Sequence, residues 1–302
     1  MSEGPEVRII ADLLYQSASN QVIQDIIHKK LSAELRNKIL GATIEEVKTF
    51  GKNIVIKFSS GVYLRNHMML WGKWRIYDKK DFDNGLAIPP TRYSYYGKTR
   101  LKTNHEIIMQ NESQDVRSDN RVRLILSTAE KVLIEFNGPI IEFSMDDPSY
   151  RAPISLLGPD ALNQHYDKDR VVSNLFSKSK KHLNLLISDG LLDQQILSGI
   201  GNKYKSEILF LTEINPFKKV SSLSSGEIHK LVSSIPNVLN TGYTNNGCTR
   251  LPTTNHKKGS RDKKYWVFRR SGKDCWKCGT KIVSERKMTQ RQTFWCPTCQ
   301  AL

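Results

Sequence analysis

Four cysteines near the end of the chain carry the most specific chemistry in the sequence. Cys275-Trp276-Lys277-Cys278 and Cys296-Pro297-Thr298-Cys299 are two C-x-x-C pairs, with 17 residues between Cys278 and Cys296. Each pair is a tight knuckle that sets two sulfurs on one side of a metal. Two knuckles close a tetrahedron around one Zn²⁺, with Zn–S near ~2.3 Å. A site with four protein ligands leaves no open position, so the zinc expected here is structural. So short a segment buries too little apolar surface to fold alone, and the metal must supply folding energy. A redox dithiol is the competing reading of the same cysteines.

Two further places hold reactive groups. At the N-terminus, removal of Met1 would expose the α-amine of Ser2 beside the carboxylate of Glu3. As a bare dipeptide this is uninformative, since most chain ends are idle. In the second half, Ser198-Gly199-Ile200-Gly201-Asn202 precedes a helical stretch. Asn202 at that helix start would set an amide beside free backbone N–H groups, a ready phosphate site. A plain N-cap explains the same residue.

The elements that must position these groups can be read in order. Pro5 suits a first helical turn, and Val7, Ile10, Ala11 and Leu14 line one helix face. Thr43–Val47 and Ile54–Phe58 read as strands around Gly51-Lys52-Asn53, a hairpin turn with a lysine at its tip. Val62–Arg65 and Trp74–Tyr77 continue a sheet, and Arg121–Phe136 returns to strand character. Between two of these strands lies His67-Met68-Met69-Leu70-Trp71-Gly72, which on residue type alone reads as ordinary core. Residues 79–118 are polar and turn-rich and read as a long loop or insertion. Leu157-Gly158-Pro159-Asp160 looks like a linker. Beyond it the pattern is helical, through Leu183–Ile187, Leu191–Gln194 and Tyr204–Leu211. Ser224 and Glu227 form a capping box ahead of Ile228, Leu231, Val232 and Ile235.

Charge narrows the partner. The 302 residues carry 46 Lys+Arg against 30 Asp+Glu, a net +16. A surplus of this size points to a polyanion, nucleic acid before acidic membrane; a merely soluble basic protein is the blander reading. From Arg250 to Lys273 nine Lys/Arg face one acid, Asp262, and this run leads into the cysteine knuckles. Cys248 is left over, and an odd, sparse cysteine set fits a reducing compartment. No apolar run approaches ~18 residues, so no transmembrane helix is expected. The polar start Ser2-Glu3-Gly4-Pro5-Glu6 is wrong for a signal peptide. An intracellular protein without a membrane partner is the expectation.

Taken jointly, Glu3-Gly4-Pro5-Glu6-Val7, Gly51-Lys52, Leu192-Asp193-Gln194, Gly199-Ile200-Gly201-Asn202, Ser206-Glu207 and Gln290-Arg291 through Cys299 resemble the formamidopyrimidine-DNA glycosylase / endonuclease VIII family of base-excision repair enzymes. The resemblance runs nearly end to end. It implies an α+β multi-domain protein: an N-terminal β-sandwich with a leading helix (2–155), a helix-two-turn-helix domain (156–262) and a zinc-finger β-hairpin (263–302).

The resemblance also implies the chemistry. The family uses an N-terminal amine as nucleophile on C1′ of the damaged nucleotide, and a Schiff base then opens the sugar–phosphate bonds. It assigns the amine to Ser2, proton transfer to Glu3, and the phosphates flanking the lesion to Lys52, Asn202 and Arg291. Met69, Leu70 and Trp71 match the residues that fill the gap left by the extruded base. A consecutive triplet of this kind is similar to the endonuclease VIII branch, whose usual substrates are oxidised pyrimidines. One structural zinc on Cys275, Cys278, Cys296 and Cys299, a damaged double-stranded DNA partner and a monomeric state complete the expectation.

Two departures stand out. Family members usually begin the mature chain with proline, and here the position is Ser2. A serine α-amine, with ordinary pKa ~7.7–8.0, is roughly a tenth to a fifth neutral at pH 7 and can form the same Schiff base. An acyl group on it would abolish the chemistry and leave a catalytically silent DNA-binding protein. The 17-residue interval in the finger is also one longer than the family pattern, although Arg291 keeps its place five residues before Cys296. A zinc-ribbon protein of RNA metabolism would explain neither Glu3 nor Lys52.

Overall fold

The computed structural model describes residues 2–90, 116–251, 264–286 and 291–301. Most of the insertion 79–118, residues 252–263 of the basic run, the tip 287–290 and Met1 lie outside the described residues. The chain forms two compact units. One takes Met1–Ser2, Val7–Thr49 and Asn53–Ala152; the other takes Glu3–Glu6, Phe50–Lys52 and Pro153–Leu302.

The first unit is a β-sandwich. One sheet has the order β2-β3-β4-β8, with β2 Ile44–Phe50, β3 Asn53–Phe58, β4 Tyr63–His67 and β8 Ile140–Ser144. The other has the order β1-β6-β7-β5, with β1 Asp25–Ile27, β5 Lys73–Asp78, β6 Val122–Ser127 and β7 Lys131–Phe136. Ile54, Ile56 and Phe58 from one sheet and Leu124, Leu126 and Leu133 from the other share a single core. Helix α1 (Gly4–Ala18) adds Val7, Ile10, Ala11, Leu14 and Ala18, the stripe read from the sequence. Burying each such aliphatic side chain stabilises the fold by about 1.5–3 kcal/mol.

Strand β7 is buried on both faces. Leu133 enters the sandwich, while Val132, Ile134 and Phe136 pack with Tyr77, Phe82, Ala87 and Val116 in a second, smaller cluster. Phe82 lies on α3 (Lys79–Asp83). The start of the insertion is therefore packed structure and not loop. Helix α2 (Ala33–Ile39), β1 and β8 were not foreseen from the sequence, because all are short.

The second unit is helical and ends in the cysteine knuckles. Its helices are α4 (Lys168–Lys181), α5 (Ile187–Gly190), α6 (Asn202–Thr212) and α7 (Ser225–Thr244). Ser224 and Glu227 make the expected reciprocal capping box at α7, and Ile228, Leu231, Val232 and Ile235 turn into the core. Helix α6 is buried nearly all round. Tyr204, Ile208 and Leu209 join the α7 core, whereas Phe210 joins Val267, Ile282 and Phe294 of the finger. The finger itself is an antiparallel pair, β9 (Val283–Glu285) and β10 (Thr293–Trp295). The segment 157–160 is no loose linker: Gly158 N donates to Gln194 O, and Ser198 N donates to Pro159 O.

Candidate active site and metal centre

The N-terminal segment reaches the second unit as a carboxylate on a helix end. The first amides of a helix have no partner within it. At α6 these amides are taken by Glu3. Gly201 N and Tyr204 N donate to Glu3 Oε2 at 2.9 and 3.1 Å, and Lys203 N donates to Oε1 at 2.9 Å. The carboxylate is fully buried there, and the helix dipole favours its charge. Gly201 is required for this approach, because a Cβ on it would sit 2.5 Å from the Glu3 carboxyl carbon. The reading of Asn202 beside free backbone N–H groups is thereby corrected. Glu3 occupies those groups, and Asn202 is the first helical residue, with Gly201 in the cap position.

A second layer holds Glu3 in place. Gly4 N donates to Gly199 O at 2.8 Å, and Glu3 N donates to Glu6 Oε2 at 3.2 Å. Glu6 is buried and ion-paired with Lys203, and it accepts from the Tyr204 hydroxyl at 3.2 Å. Ser2, the residue next to Glu3, is itself buried.

The turn carrying Lys52 is pinned to the same region. Gly51 has φ +58°, a left-handed conformation that favours glycine, and its N–H donates to Asp160 Oδ2 at 2.9 Å. Burial lowers the Lys52 pKa; the Glu3 carboxylate opposes that shift and Arg291 reinforces it. Glu3, Lys52 and Arg291 therefore lie within electrostatic reach of one another. Asn202 joins them through the finger, since its Nδ2 donates to Gln292 O at 2.7 Å. Four residues far apart in sequence meet in one unit.

The hydrophobic triplet belongs to the first unit, in the turn between β4 and β5. Met68 is core, but Met69, Leu70 and Trp71 are 48, 50 and 59% exposed, and Met69 has φ +52°. The expectation of ordinary core fails for these three. Three large apolar side chains held in water on a tight turn are unusual without a partner.

The four cysteine sulfurs lie within 4.8 Å of one another. Cys275 and Cys299 sulfurs are 3.8 Å apart, and those of Cys278 and Cys296 are 3.5 Å apart. A tetrahedron with ~2.3 Å metal–sulfur bonds has edges of ~3.8 Å, so the donor set fits one tetrahedral metal ion. Lys277 N donates to Cys275 Sγ and Cys299 N to Cys296 Sγ, as in two metal-binding knuckles. Cys248 is not in the cluster.

Sequence reasoning noted Glu207 only within the Ser206-Glu207 motif and missed the bonds that hold this site together. Glu207 accepts from the backbone N–H groups of Trp266, Val267 and Phe268 at 2.8, 2.9 and 2.8 Å and from the Thr249 hydroxyl. Lys203 and Lys205 are buried in α6, where lysine is ordinarily exposed. No local signal marks them.

Known proteins bear on this arrangement. The formamidopyrimidine-DNA glycosylase N-terminal domain model matches residues 1–138, and the H2TH domain model of the same glycosylase matches 157–252. The chain belongs to the formamidopyrimidine-DNA glycosylase / endonuclease VIII family. Members are base-excision repair DNA glycosylases, and AP lyase activity is part of the family. Endonuclease 8 of Salmonella arizonae is 27% identical, covering 99% of this chain and all of that protein. Lactococcus lactis Fpg, solved with an abasic site containing DNA, has a TM-score of 0.73 at 21% identity and covers 100% of both chains. MutM in complex with carbocyclic 8-oxo-G containing DNA has a TM-score of 0.72, at 21% identity over 99% of this chain and 100% of that one. These two structures show that this glycosylase-family chain has their fold.

Proposed function

We propose that the chain removes oxidised bases, pyrimidines before purines, from double-stranded DNA and then cleaves the resulting abasic site. The α-amine of Ser2, freed by loss of Met1, is the nucleophile. The observation that carries this reading is the fixed Glu3 carboxylate. It is one residue from the amine, anchored by three backbone donors, with Lys52 and Arg291 in reach. A carboxylate offers about four acceptor positions, so about one remains for the sugar.

The steps balance. The neutral amine attacks C1′ as the C1′–base bond breaks, and the departing base takes a proton. Ring opening yields an iminium between the Ser2 nitrogen and C1′. The iminium acidifies C2′; loss of that proton expels the 3′ phosphate, and a second elimination expels the 5′ phosphate. Water then releases the sugar fragment and restores the amine. Glu3 is the group placed to move protons at the sugar. Lys52, Asn202 and Arg291 hold the flanking phosphates, and Met69, Leu70 and Trp71 fill the space of the extruded nucleotide.

Cys275, Cys278, Cys296 and Cys299 hold one structural Zn²⁺, which keeps the hairpin bearing Arg291 folded. The protein acts as a monomer inside the cell, on damaged DNA. The net +16 supports the polyanionic partner, and no helix among the described residues is long and apolar enough to cross a membrane.

The test uses matched duplexes carrying one oxidised pyrimidine, one oxidised purine or no lesion. Base release and strand scission are expected on the first, more slowly on the second and not on the third. Binding to damaged duplex without base release would favour the silent damage-binding alternative.

A further inference from the structure

Among the buried cations that the mechanism does not use, Lys205 lies closest to its groups. Lys205 is fully buried in α6, and its Nζ donates to Asn202 Oδ1 at 2.8 Å and to Thr293 Oγ1 at 2.8 Å. Asn202 in turn donates Nδ2 to Gln292 O at 2.7 Å. These bonds close a ring: Lys205 to Asn202, Asn202 to Gln292, Gln292 along the chain to Thr293, and Thr293 back to Lys205. Arg291 is the next residue outward.

An ammonium donates three hydrogens and accepts none, so it fixes which end of an amide faces it. Lys205 can face only the oxygen of Asn202. That leaves the Nδ2 edge, the donor edge, for the finger carbonyl and for an anion in front of it. A buried charge of this kind is retained only where it is paired or functional. Here no carboxylate bonds it among the described residues; Asn202 Oδ1 and Thr293 Oγ1, its two acceptors, are neutral.

We propose that Lys205 is a positioning residue. It latches finger residues 291–293 to the start of α6, orients the Asn202 amide as a phosphate donor, and adds its own positive charge behind that phosphate. The proposal rests on the reading of Asn202 and Arg291 as phosphate contacts.

Burial pushes the Lys205 ammonium down to about 8; Asp189 and Glu3 oppose the shift, and Arg291 adds to it. A phosphate arriving at Asn202 and Arg291 favours the charged form and raises that value again. Binding must then take up a proton above pH 8, and affinity must fall as pH rises through that range.

The experiment measures binding of duplex with a tetrahydrofuran abasic site, which has no aldehydic C1′ and cannot form the iminium, to the full-length, zinc-loaded protein from pH 6.5 to 9.5. Net proton uptake is read from calorimetry in buffers of different ionisation enthalpy. Lys205→Met keeps the stem and removes the charge; it should bind about tenfold more weakly at pH 7. It should also lose the part of the proton uptake centred near pH 8. Thr293→Val, which keeps shape and removes one acceptor, should weaken binding two- to threefold and move the uptake to lower pH. Metal content and thermal unfolding report whether each variant is folded; if Lys205→Met loses its zinc, Thr293→Val decides. Parent-like affinity and parent-like proton uptake in the folded variants would overturn the proposal. Parent-like affinity in both Asn202→Ala and Arg291→Ala would instead refute the underlying phosphate reading.

Discussion

The two units spend buried positions differently. In the sandwich the core is almost wholly aliphatic and aromatic, and the exceptions are few. Arg65 pairs with Asn53 and Glu142, while Glu135 accepts from Gly138 N at 2.9 Å. In the helical unit, Glu3, Glu6, Lys203, Lys205 and Glu207 are all buried and all hydrogen-bonded. All five lie in or bind the first two turns of α6. Both units have apolar cores, and the helical unit adds directed bonds that fix the start of α6 and, through Lys205 and Glu207, the finger that carries Arg291. Damage to the first should cost stability alone. Damage to the second should cost stability and site geometry together.

The largest effect is expected at the metal. Structural zinc in small fingers contributes about 10–16 kcal/mol of apparent binding energy. Cys296→Ser should lose the metal and abolish binding to abasic duplex, while Cys248→Ser should return one zinc per chain. Metal analysis and gel-shift titration check both; loss of zinc in Cys248→Ser would contradict the ligand set.

A matched pair of core substitutions sharpens the comparison. Leu64→Ala in the sandwich should destabilise by about 2–5 kcal/mol through lost burial and a cavity. Glu207→Ala leaves three backbone donors without their acceptor and should cost at least about 3 kcal/mol. Measured below the unfolding transition, Leu64→Ala should keep its rate of strand scission per folded molecule. Glu207→Ala should lose rate at least tenfold, since it releases the finger from α6. Equal rates in the two variants would erase the distinction.

The smallest effect is a pH dependence. Burial pushes the Glu135 carboxyl up to about 8, well above its ordinary range. A carboxyl raised on folding is protonated in the folded state, so the unfolded chain loses its proton first. Stability from this group is present below the ordinary carboxyl range and drains away as pH climbs towards 8. Glu135→Gln should remove that slope and gain up to a few (~1–4) kcal/mol at pH 8 relative to pH 5. Urea titrations at the two pH values measure it.

The sequence disclosed what local spacing encodes. The α1 stripe, the Gly51-Lys52-Asn53 turn, the Ser224–Glu227 box and the cysteine knuckles are all patterns within a few residues or of fixed chemistry. What stayed hidden depends on contacts across long separations. Asp160 reads as part of a linker but receives Gly51 N, 109 residues away. Lys205 lies in a stretch that reads simply as helix, and one of its two partners, Thr293, is 88 residues on. Helix α4 was missed because few of its positions, among them Val171 and Leu175, are buried. The Met69–Trp71 triplet misled on type alone, since large apolar residues are ordinarily core.

The central claim is that the Ser2 α-amine carries the reaction. Borohydride reduces an iminium to a stable amine, so protein and abasic or oxidised-pyrimidine duplex should become covalently joined. After proteolysis, mass spectrometry should place the sugar remnant on the peptide beginning at Ser2. Ser2→Ala should keep the adduct, because the nitrogen and not the hydroxyl reacts. Absence of any adduct, or an adduct mapped to the Lys52 side chain, would contradict the account.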